Sequence, residues 1–309
     1  MKLGKLIKAN PKLHRCFTYV FGKIMVFIGR ISPRLQTEIN YRIYFSKPIN
    51  LKNPHNICEK ICWMNLYGDT SLWSKCSDKY LVREFVQERG LGFTLNTLLG
   101  VYEKAEDIKF DDMPSKFVLK GNNGGGHKAI MIINDKTKID NKRVCKTVNQ
   151  WLKLKNFERH AECHYKKIRP LIIAEKYLEH KENESSLVDY KFYCFNGKVH
   201  SILLCTDRDD NGVNFSSYDL EWNLHPENMD EKHRANVSHP KPKSLEKMIK
   251  YSEILSADIP FVRVDWYEID DEPVFGELTF TPACGFLYYH SMNYLCELGE
   301  KCVLPEKRK

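Results

Sequence analysis

The sequence predicts an α+β fold in which strands pair as antiparallel hairpins and helices pack beside them. Three segments, 116–133, 189–205 and 261–279, each contain two apolar runs on either side of turn residues, which is the pattern of paired strands. With 309 residues, 42% of them hydrophobic and 28% charged, the chain can build ordinary cores in two domains or in one large domain with an extension. Helices are predicted at 56–67, 77–89, 143–154 and 244–255, and further strands at 95–102 and 171–178.

Turn and capping residues set the expected boundaries of several elements. Asn196-Gly197 forms a two-residue hairpin turn within 189–205. Ser77 is expected to cap the helix at 77–89, and Gly90 is expected to end it. The proline-containing stretch 33–55 predicts an extended linker.

The positive charge of the chain is concentrated at its N-terminus. Residues 1–50 contain ten Lys and Arg and one acid, Glu38, so their net charge is +9. Because the whole chain has a net charge of +8, the other 259 residues sum to −1. Residues 17–30 are apolar but interrupted by Lys23, so they are too short and too charged for a membrane-spanning helix. Two interpretations remain: a helix packed on the main domain, or a basic amphipathic helix at an anionic membrane surface. Nucleic-acid binding is not expected, because no recognition motif follows.

The eleven cysteines predict free thiols. They are scattered without paired spacing, which argues against a disulfide framework. No signal-peptide pattern precedes them, so we expect a cytoplasmic protein. Cys58 and Cys62, and the neighbours Cys163 and His164, lack a second pair at zinc-site spacing, so a structural zinc is not expected.

Two carboxylates, Asp265 and Glu277, are the first candidate functional residues. In the predicted hairpin 261–279, with its acidic turn at 270–273, they could face each other across the strands. Facing carboxylates repel unless a positive group lies between them. A divalent cation with hard oxygen ligands, such as Mg²⁺, would satisfy them, whereas the alternative is a solvated acidic hairpin.

A glycine loop is the second candidate. In 116–133 two apolar runs flank Gly-Asn-Asn-Gly-Gly-Gly, and glycine lets backbone N–H groups close on a phosphate chain. Lys120, at the end of the first run, would add a positive charge. Neither the Walker A pattern nor G-x-G-x-x-G fits, because His127 and Lys128 are followed by Ala129 and a strand follows the loop.

In order along the chain, these motifs resemble those of ATP-grasp enzymes. The chain looks like the TupA-like branch, named for teichuronopeptide biosynthesis, from about residue 45 to residue 300. The resemblance implies an ATP-grasp fold in which two α+β subdomains hold a nucleotide between them. The expected division is a basic, partly amphipathic helical extension at 1–44, an α/β region at 45–110 and an ATP-grasp core at 111–309. Within the core, residues 111–180 are expected to form a lid-like part and residues 181–309 a metal-binding part. The segments that carry the resemblance are 117–126, 172–178, 189–197, 262–267 and 275–282, with 59–64 and 77–83 typical of the branch.

The resemblance also implies roles for individual residues. Lysines would touch the phosphates of ATP, glycines would fold over them, residues 175–178 would hold adenine, and Glu182 would serve the ribose. Lys191 and Arg263 would stabilise the γ-phosphate or the reacting oxyanion. Asp265 and Glu277 would hold Mg²⁺, and Thr279 stands where many ATP-grasp enzymes have a third, Asn ligand. The implied nucleotide-binding residues are Lys79, Lys120, Gly124, Gly125, Gly126, Glu175, Lys176, Tyr177, Leu178 and Glu182.

The chemistry implied is ATP-dependent activation of a carboxylate as an acyl phosphate, which an amine then attacks. The expected substrates are an acidic sugar or polysaccharide precursor and an amino-acid or amine donor, at the cytoplasmic face of the plasma membrane. The alternatives are phosphoryl transfer to a sugar hydroxyl, and a glycosyltransferase or non-catalytic component of polysaccharide assembly. The sequence has no Ser-His-Asp or Cys-His pattern, and 288–290 are expected to pack in the core. Surface or packing roles are expected for His127, His164, His200 and His290.

Overall fold

A computed structural model describes residues 11–124, 129–179, 187–209, 212–235 and 237–308. Within these residues the chain forms two antiparallel sheets with helices packed around them, so the predicted α+β class is confirmed. The sheets have separate hydrophobic cores. A cleft between the sheets is therefore bounded by two independently packed units.

The smaller sheet has four strands in the order β1-β4-β2-β3. They are β1 (Leu98–Tyr102), β2 (Phe117–Gly121), β3 (Ile130–Ile133) and β4 (Ile172–Lys176). The predicted strand, glycine loop and strand of 116–133 correspond to β2 and β3, which pair antiparallel. Helix α6 (Asn141–Trp151) packs its apolar face against this sheet, and its N-cap Asp140 accepts hydrogen bonds from the first turn.

The larger sheet has five strands in the order β7-β6-β5-β8-β9. Both predicted hairpins are confirmed, β5 with β6 and β8 with β9. Asn196 and Gly197 have φ values of 48° and 79°, as a two-residue turn requires. The turn of the acidic hairpin is shorter than expected, because Asp270 and Asp271 alone have positive φ. The strands are β5 (Asp189–Phe195), β6 (Lys198–Asp209), β7 (Gly212–Tyr218), β8 (Val262–Ile269) and β9 (Glu272–Thr279).

Five helices surround the larger sheet: α3 (Ile57–Tyr67), α4 (Ser71–Ser77), α5 (Val82–Glu88), α7 (Leu245–Ser256) and α8 (Met292–Lys301). The single helix predicted at 77–89 is wrong at its start, because Ser77 ends α4 rather than capping α5. The Asp78 carboxylate accepts hydrogen bonds from the backbone N–H groups of Tyr80 and Leu81, and this local turn separates the two helices. Gly90 follows α5 with a φ of 76°, as predicted for a helix stop.

The N-terminal segment is helical further than the sequence suggested. It contains α1 (Pro11–Ile31) and α2 (Pro33–Phe45), so the extended linker predicted at 33–55 is wrong for its first thirteen residues. The Ser32 hydroxyl caps α2, and Pro33 occupies the first turn, where a missing N–H costs nothing. None of the described helices is long and apolar enough to cross a membrane. All eleven cysteines are free, as predicted.

Candidate functional site

A cleft of about 490 Å³ opens between the two sheets, and residues of both sheets line it. Helix α5 and the turn before it close one side. One part of the wall is apolar and the other part carries charged groups. The cleft-lining residues are Lys79, Val82, Arg83, Leu95, Asn96, Lys120, Ile130, Ile132, Ile173, Glu175, Tyr177, Leu178, Leu187, Asp189, Lys191, Asp265, Tyr267, Phe275, Gly276 and Glu277.

The apolar part of the cleft is built by the smaller sheet together with Phe275. Ile130 and Ile132 are 37% and 53% exposed although they are aliphatic, because they lie on the side of β3 that faces the cleft. Ile173 lines the same wall from β4. Two apolar surfaces facing each other across a cleft suit a flat ring system. Sequence reasoning missed these isoleucines, although the period-2 spacing of Ile130 and Ile132 could have placed them on one face.

Glu175 organises the charges on the side of the smaller sheet. It is buried on β4, where one carboxylate oxygen accepts a hydrogen bond from Lys120 Nζ at 2.6 Å. The other oxygen lies 3.5 Å from Arg83 Nη1, and Arg83 Nη2 donates to the backbone carbonyl of Asn96 at 2.8 Å. The Glu175 side chain thus holds two cations at the cleft wall. Arg83 is a site residue to which the sequence analysis gave no role.

Lys79 connects the glycine loop to the larger sheet. Its ammonium donates to the carbonyl oxygen of Gly124 at 2.9 Å and lies 3.6 Å from Glu277 Oε2. The backbone of Lys79 is itself anchored, since its N–H donates to the carbonyl of Asn122. The start of the loop and the end of β9 therefore meet at one lysine.

Asp265 and Glu277 face each other across the β8–β9 pair, as predicted. The positive group between them is the guanidinium of Arg263. Its Nε and Nη2 each lie 2.7 Å from an oxygen of Asp265, and Nη2 is also 3.4 Å from Glu277 Oε1. Lys191 Nζ binds Asp265 Oδ2 at 2.5 Å, and Thr279 donates its hydroxyl to Glu277 Oε1 at 2.9 Å. The repulsion that suggested a metal is thus relieved by side chains of the sheet.

The ionisation of these groups follows from their mutual contacts. Burial opposes charge on Lys191, but Asp265 and Asp189 outweigh it and raise the pKa of the ammonium. Burial also opposes charge on Glu277, yet Lys79, Arg263 and Lys191 hold its pKa at about 2. The pKa of Arg263 lies well above its ordinary value, because Asp265 outweighs the cost of burial. Lys191, Arg263 and Glu277 are therefore charged at neutral pH.

The donor set fits a magnesium ion only with ligands from outside the protein. No group of three or more His, Cys, Asp or Glu suitable for a metal occurs within the described residues. Mg²⁺ in nucleotide sites commonly takes one or two carboxylates and completes its shell with phosphate oxygens and water. Glu277 suits such a role, since 39% of its side chain is exposed, whereas Asp265 is buried and bound to Arg263 and Lys191. Thr279 accepts from Arg263 and donates to Glu277, which makes it a positioning group for both.

The structure brings most of the expected residues to the cleft. Lys79, Lys120, Glu175, Tyr177, Leu178, Lys191, Asp265 and Glu277 line it, and Arg263 and Thr279 contact Glu277 from within the sheet.

Other expected residues are not brought there. Lys176 is exposed outside the lining, and its backbone N–H and carbonyl bond to Thr97 and Asn96. Gly124 contributes through its carbonyl to Lys79. Gly125, Gly126, Glu182 and His127 lie outside the described residues.

Three of the four histidines for which surface or packing roles were expected lie within the described residues, and each is buried or near the surface. His164 is buried against Trp73, and His290 is buried and hydrogen-bonded to Tyr193. His200 contacts Glu297 at 3.0 Å near the surface. Tyr289 and His290 are buried, whereas Tyr288 is 44% exposed. The core packing expected for 288–290 is therefore confirmed for two of the three residues.

Comparison with solved structures finds distant similarity to ligases. D-alanine–D-alanine ligase of Bacillus anthracis, solved with ATP, is 16% identical with a TM-score of 0.43 over 74% of this chain and 66% of that one. The corresponding ligase of Helicobacter pylori is 14% identical, with a TM-score of 0.43 over 82% of this chain and 68% of that one. An L-amino acid ligase of Bacillus licheniformis is 15% identical, with a TM-score of 0.40 over 68% of this chain and 44% of that one. The chain thus spans about two thirds of the first of these proteins and less than half of the last. A likeness this distant does not bear on activity.

Comparisons with curated proteins and with family models gave different results. No curated protein matches the sequence. The model of the TupA-like ATP-grasp family matches residues 59–303, which include the glycine loop, both sheets and all the cleft-lining residues. The chain belongs to the TupA-like ATP-grasp family.

Proposed function

We propose that the protein is an Mg²⁺- and ATP-dependent carboxylate–amine ligase. The observation that carries this proposal is the division of one cleft into an apolar part and a part that places three lysines beside four carboxylates. A nucleotide requires that arrangement, since its base is flat and apolar and its phosphates are anionic. Membership of an ATP-grasp family supports ATP as the nucleotide.

The proposed position of ATP follows from the cleft wall. The adenine lies between Ile132 and Phe275, close to the backbone of Tyr177 and Leu178. The phosphates extend toward Lys79 and Lys120, and the glycine loop, whose Gly124 carbonyl binds Lys79, would fold over them. In this arrangement Lys120 exchanges part of its contact with Glu175 for a phosphate oxygen, and Arg83 keeps Glu175 neutralised.

The proposed reaction needs positioning and charge neutralisation rather than a nucleophilic side chain. A substrate carboxylate oxygen attacks the γ-phosphorus and ADP leaves, which gives an acyl phosphate. The amine nitrogen then attacks the acyl carbon, phosphate leaves, and the proton of the amine passes to solvent or phosphate. Lys191 and Arg263 would stabilise the charge on the transferring group. Mg²⁺, when bound at Glu277, would neutralise the phosphate oxygens.

The proposed substrates are an acidic sugar of a surface polysaccharide or its precursor, and an amino acid or other amine. Two observations support this class. The family is the TupA-like branch of the ATP-grasp enzymes, to which residues 59–303 belong. Residues 1–50 carry +9, which would attract an acidic polymer or a membrane that carries its precursor.

A product assay tests the reaction class. The full chain is incubated with Mg²⁺, ATP, uronic acids and amino acids, and ADP and free phosphate are measured together. A ligase releases one phosphate for each ADP and forms an amide that mass spectrometry detects. ADP without free phosphate means that the phosphoryl group stays on a sugar hydroxyl and the enzyme is a phosphotransferase. Turnover of a nucleotide sugar without ATP would instead indicate a glycosyltransferase.

The variant that tests the metal site is Glu277→Gln, which keeps the size of the side chain and removes its charge. Because this carboxylate is partly exposed, the variant should fold normally. We expect its Mg²⁺-dependent turnover to fall by about 100-fold or more, as when a group that stabilises transition-state charge is lost. Full activity in this variant would remove Glu277 from the proposed metal site.

A further inference from the structure

Helix α1 presents an exposed stripe of large apolar side chains. The stripe follows helical spacing, so that its six members share one side of the helix. Their exposed fractions run from 36% to 70%, although hydrophobic residues of this size are usually covered. We call this set the α1 stripe, and it consists of Phe17, Val20, Phe21, Ile24, Phe27 and Ile31.

The opposite side of α1 is fixed to the body of the protein. Met25 is 3% exposed, and its carbonyl accepts a hydrogen bond from Gln36 Nε2, which also donates to the carbonyl of Glu158. Arg30 makes an ion pair with the Glu158 carboxylate at 3.1 Å. The two interpretations left open by the sequence therefore concern different faces of one helix. One face packs on the protein, and the α1 stripe remains outside.

Cations accompany the stripe. Lys23 is exposed one helical turn before Phe27, and Arg30 lies one residue before Ile31. The next helix adds exposed Arg34 and Arg42. The single acid of the first fifty residues, Glu38, pairs with Arg34 at 2.9 Å. Arg30 and Arg34 are paired with Glu158 and Glu38, so the positive charge beside the stripe comes from Lys23 and Arg42, within a segment, residues 1–50, whose net charge is +9.

We propose that the α1 stripe docks on the surface of an anionic lipid bilayer, with α1 lying in the plane of the interface. An apolar face bordered by Lys and Arg is the pattern of helices that insert among anionic headgroups. A 21-residue helix is about 30 Å long and so offers several side chains at equal depth. A second copy of the chain is a poorer occupant, because two faces with the same positive charge would repel. The body, anchored through Met25 and Gln36, would then be held at a fixed orientation to the membrane.

The test is co-sedimentation of the full chain with vesicles of phosphatidylcholine alone or with one quarter phosphatidylglycerol. We expect binding to the anionic vesicles, little binding to the neutral ones, and release in 1 M NaCl, since salt screens the charges. In the double variant Ile24→Glu/Phe27→Glu the partition coefficient should fall at least about 100-fold, about tenfold for each large apolar side chain kept out of the bilayer. Val303→Glu, at an apolar residue 67% exposed and remote in sequence, is the matched control and should bind normally.

Two further measurements make the outcomes decisive. The melting temperatures of the variants must match that of the wild type, because their side chains are exposed. Phe27→Trp should be quenched by brominated lipid tails if the stripe enters the bilayer. Equal binding to neutral and anionic vesicles, unchanged binding of the double variant, or absence of quenching would each overturn the proposal. Dimerisation lost in the double variant, without vesicle binding, would assign the stripe to a second copy instead. ATP turnover tests the proposed function separately, since the stripe lies outside the cleft.

Discussion

Replacing Asp265 by Asn should destabilise the fold far more than replacing Glu277 by Gln. Asp265 is 3% exposed and is the shared partner of two buried cations, Arg263 and Lys191. Asn keeps the shape of the side chain but leaves those cations facing each other without the central negative charge. Glu277 is different, because its side chain is 39% exposed and its cationic neighbours Lys79 and Arg263 lie farther from it, at 3.6 and 3.4 Å.

The magnitude follows from the contacts. Asp265 accepts three charge-assisted hydrogen bonds of 2.5–2.7 Å from groups that are 7% and 8% exposed. Removing one partner of a buried ion pair costs about 3–5 kcal/mol, since a buried charge is left uncompensated. Loss of the partly exposed Glu277 contacts, at 3.4 and 3.6 Å, should cost about 1 kcal/mol or less. We therefore expect the two variants to differ by at least about 2 kcal/mol.

Urea unfolding followed by tryptophan fluorescence measures this difference, because Trp266 is fully buried next to Asp265. The Tm of Asp265→Asn should fall by about 5–15 °C, given the usual relation of stability to Tm in large domains. An unchanged dependence of the free energy on urea would show that the denatured state is unaffected. An Asp265→Asn variant whose free energy of unfolding lies within about 1 kcal/mol of the wild type, or an equal loss in Glu277→Gln, would refute the prediction.

Two further predictions concern the nucleotide and pH. Lys120→Ala should weaken ATP binding by about 1–3 kcal/mol in calorimetry, since it removes a charge-assisted contact. The control is Lys116→Ala, at a lysine that is 48% exposed and paired with Glu179, and it should bind ATP normally. Equal ATP affinities of Lys120→Ala and the wild type would exclude Lys120 from the site. Burial raises the pKa of Glu162 from 4.5 to about 7, despite the hydroxyl of Thr281 that bonds to it. The native state thus holds a proton that the unfolded chain releases, so stability should fall by about 3 kcal/mol as pH rises from 4.5 through 7. Urea titrations of the wild type and Glu162→Gln at pH 5 and 8 check this, and a loss of the same size in the Gln variant would contradict it.

Local pattern was sufficient for most of the secondary structure. Both hairpins of the larger sheet and the β2–β3 pair were predicted, because alternation and turn residues act over a few neighbours. The errors occurred where two local signals compete. Pro33 suggested a linker but starts a helix, since Ser32 caps it. Ser77 suggested a cap but ends a helix, since Asp78 turns the chain. The domain boundaries and the roles of the individual site residues stay predictions.

The direct opposition of Asp265 and Glu277 depends on a bulge between Asp265 and Trp266, since the two-residue turn alone would pair Asp265 with Gly276. The sequence by itself determined that the two carboxylates lie on the two strands of one hairpin. It also placed Lys120 beside a glycine loop and separated a basic N-terminus from a nearly neutral body. Only the tertiary structure decided that Arg263 fills the space between the carboxylates, and that Arg83 meets Glu175, 92 residues away, in the cleft wall. Side-chain direction within a sheet and contacts between distant segments depend on how whole elements pack, and no local spacing encodes that packing.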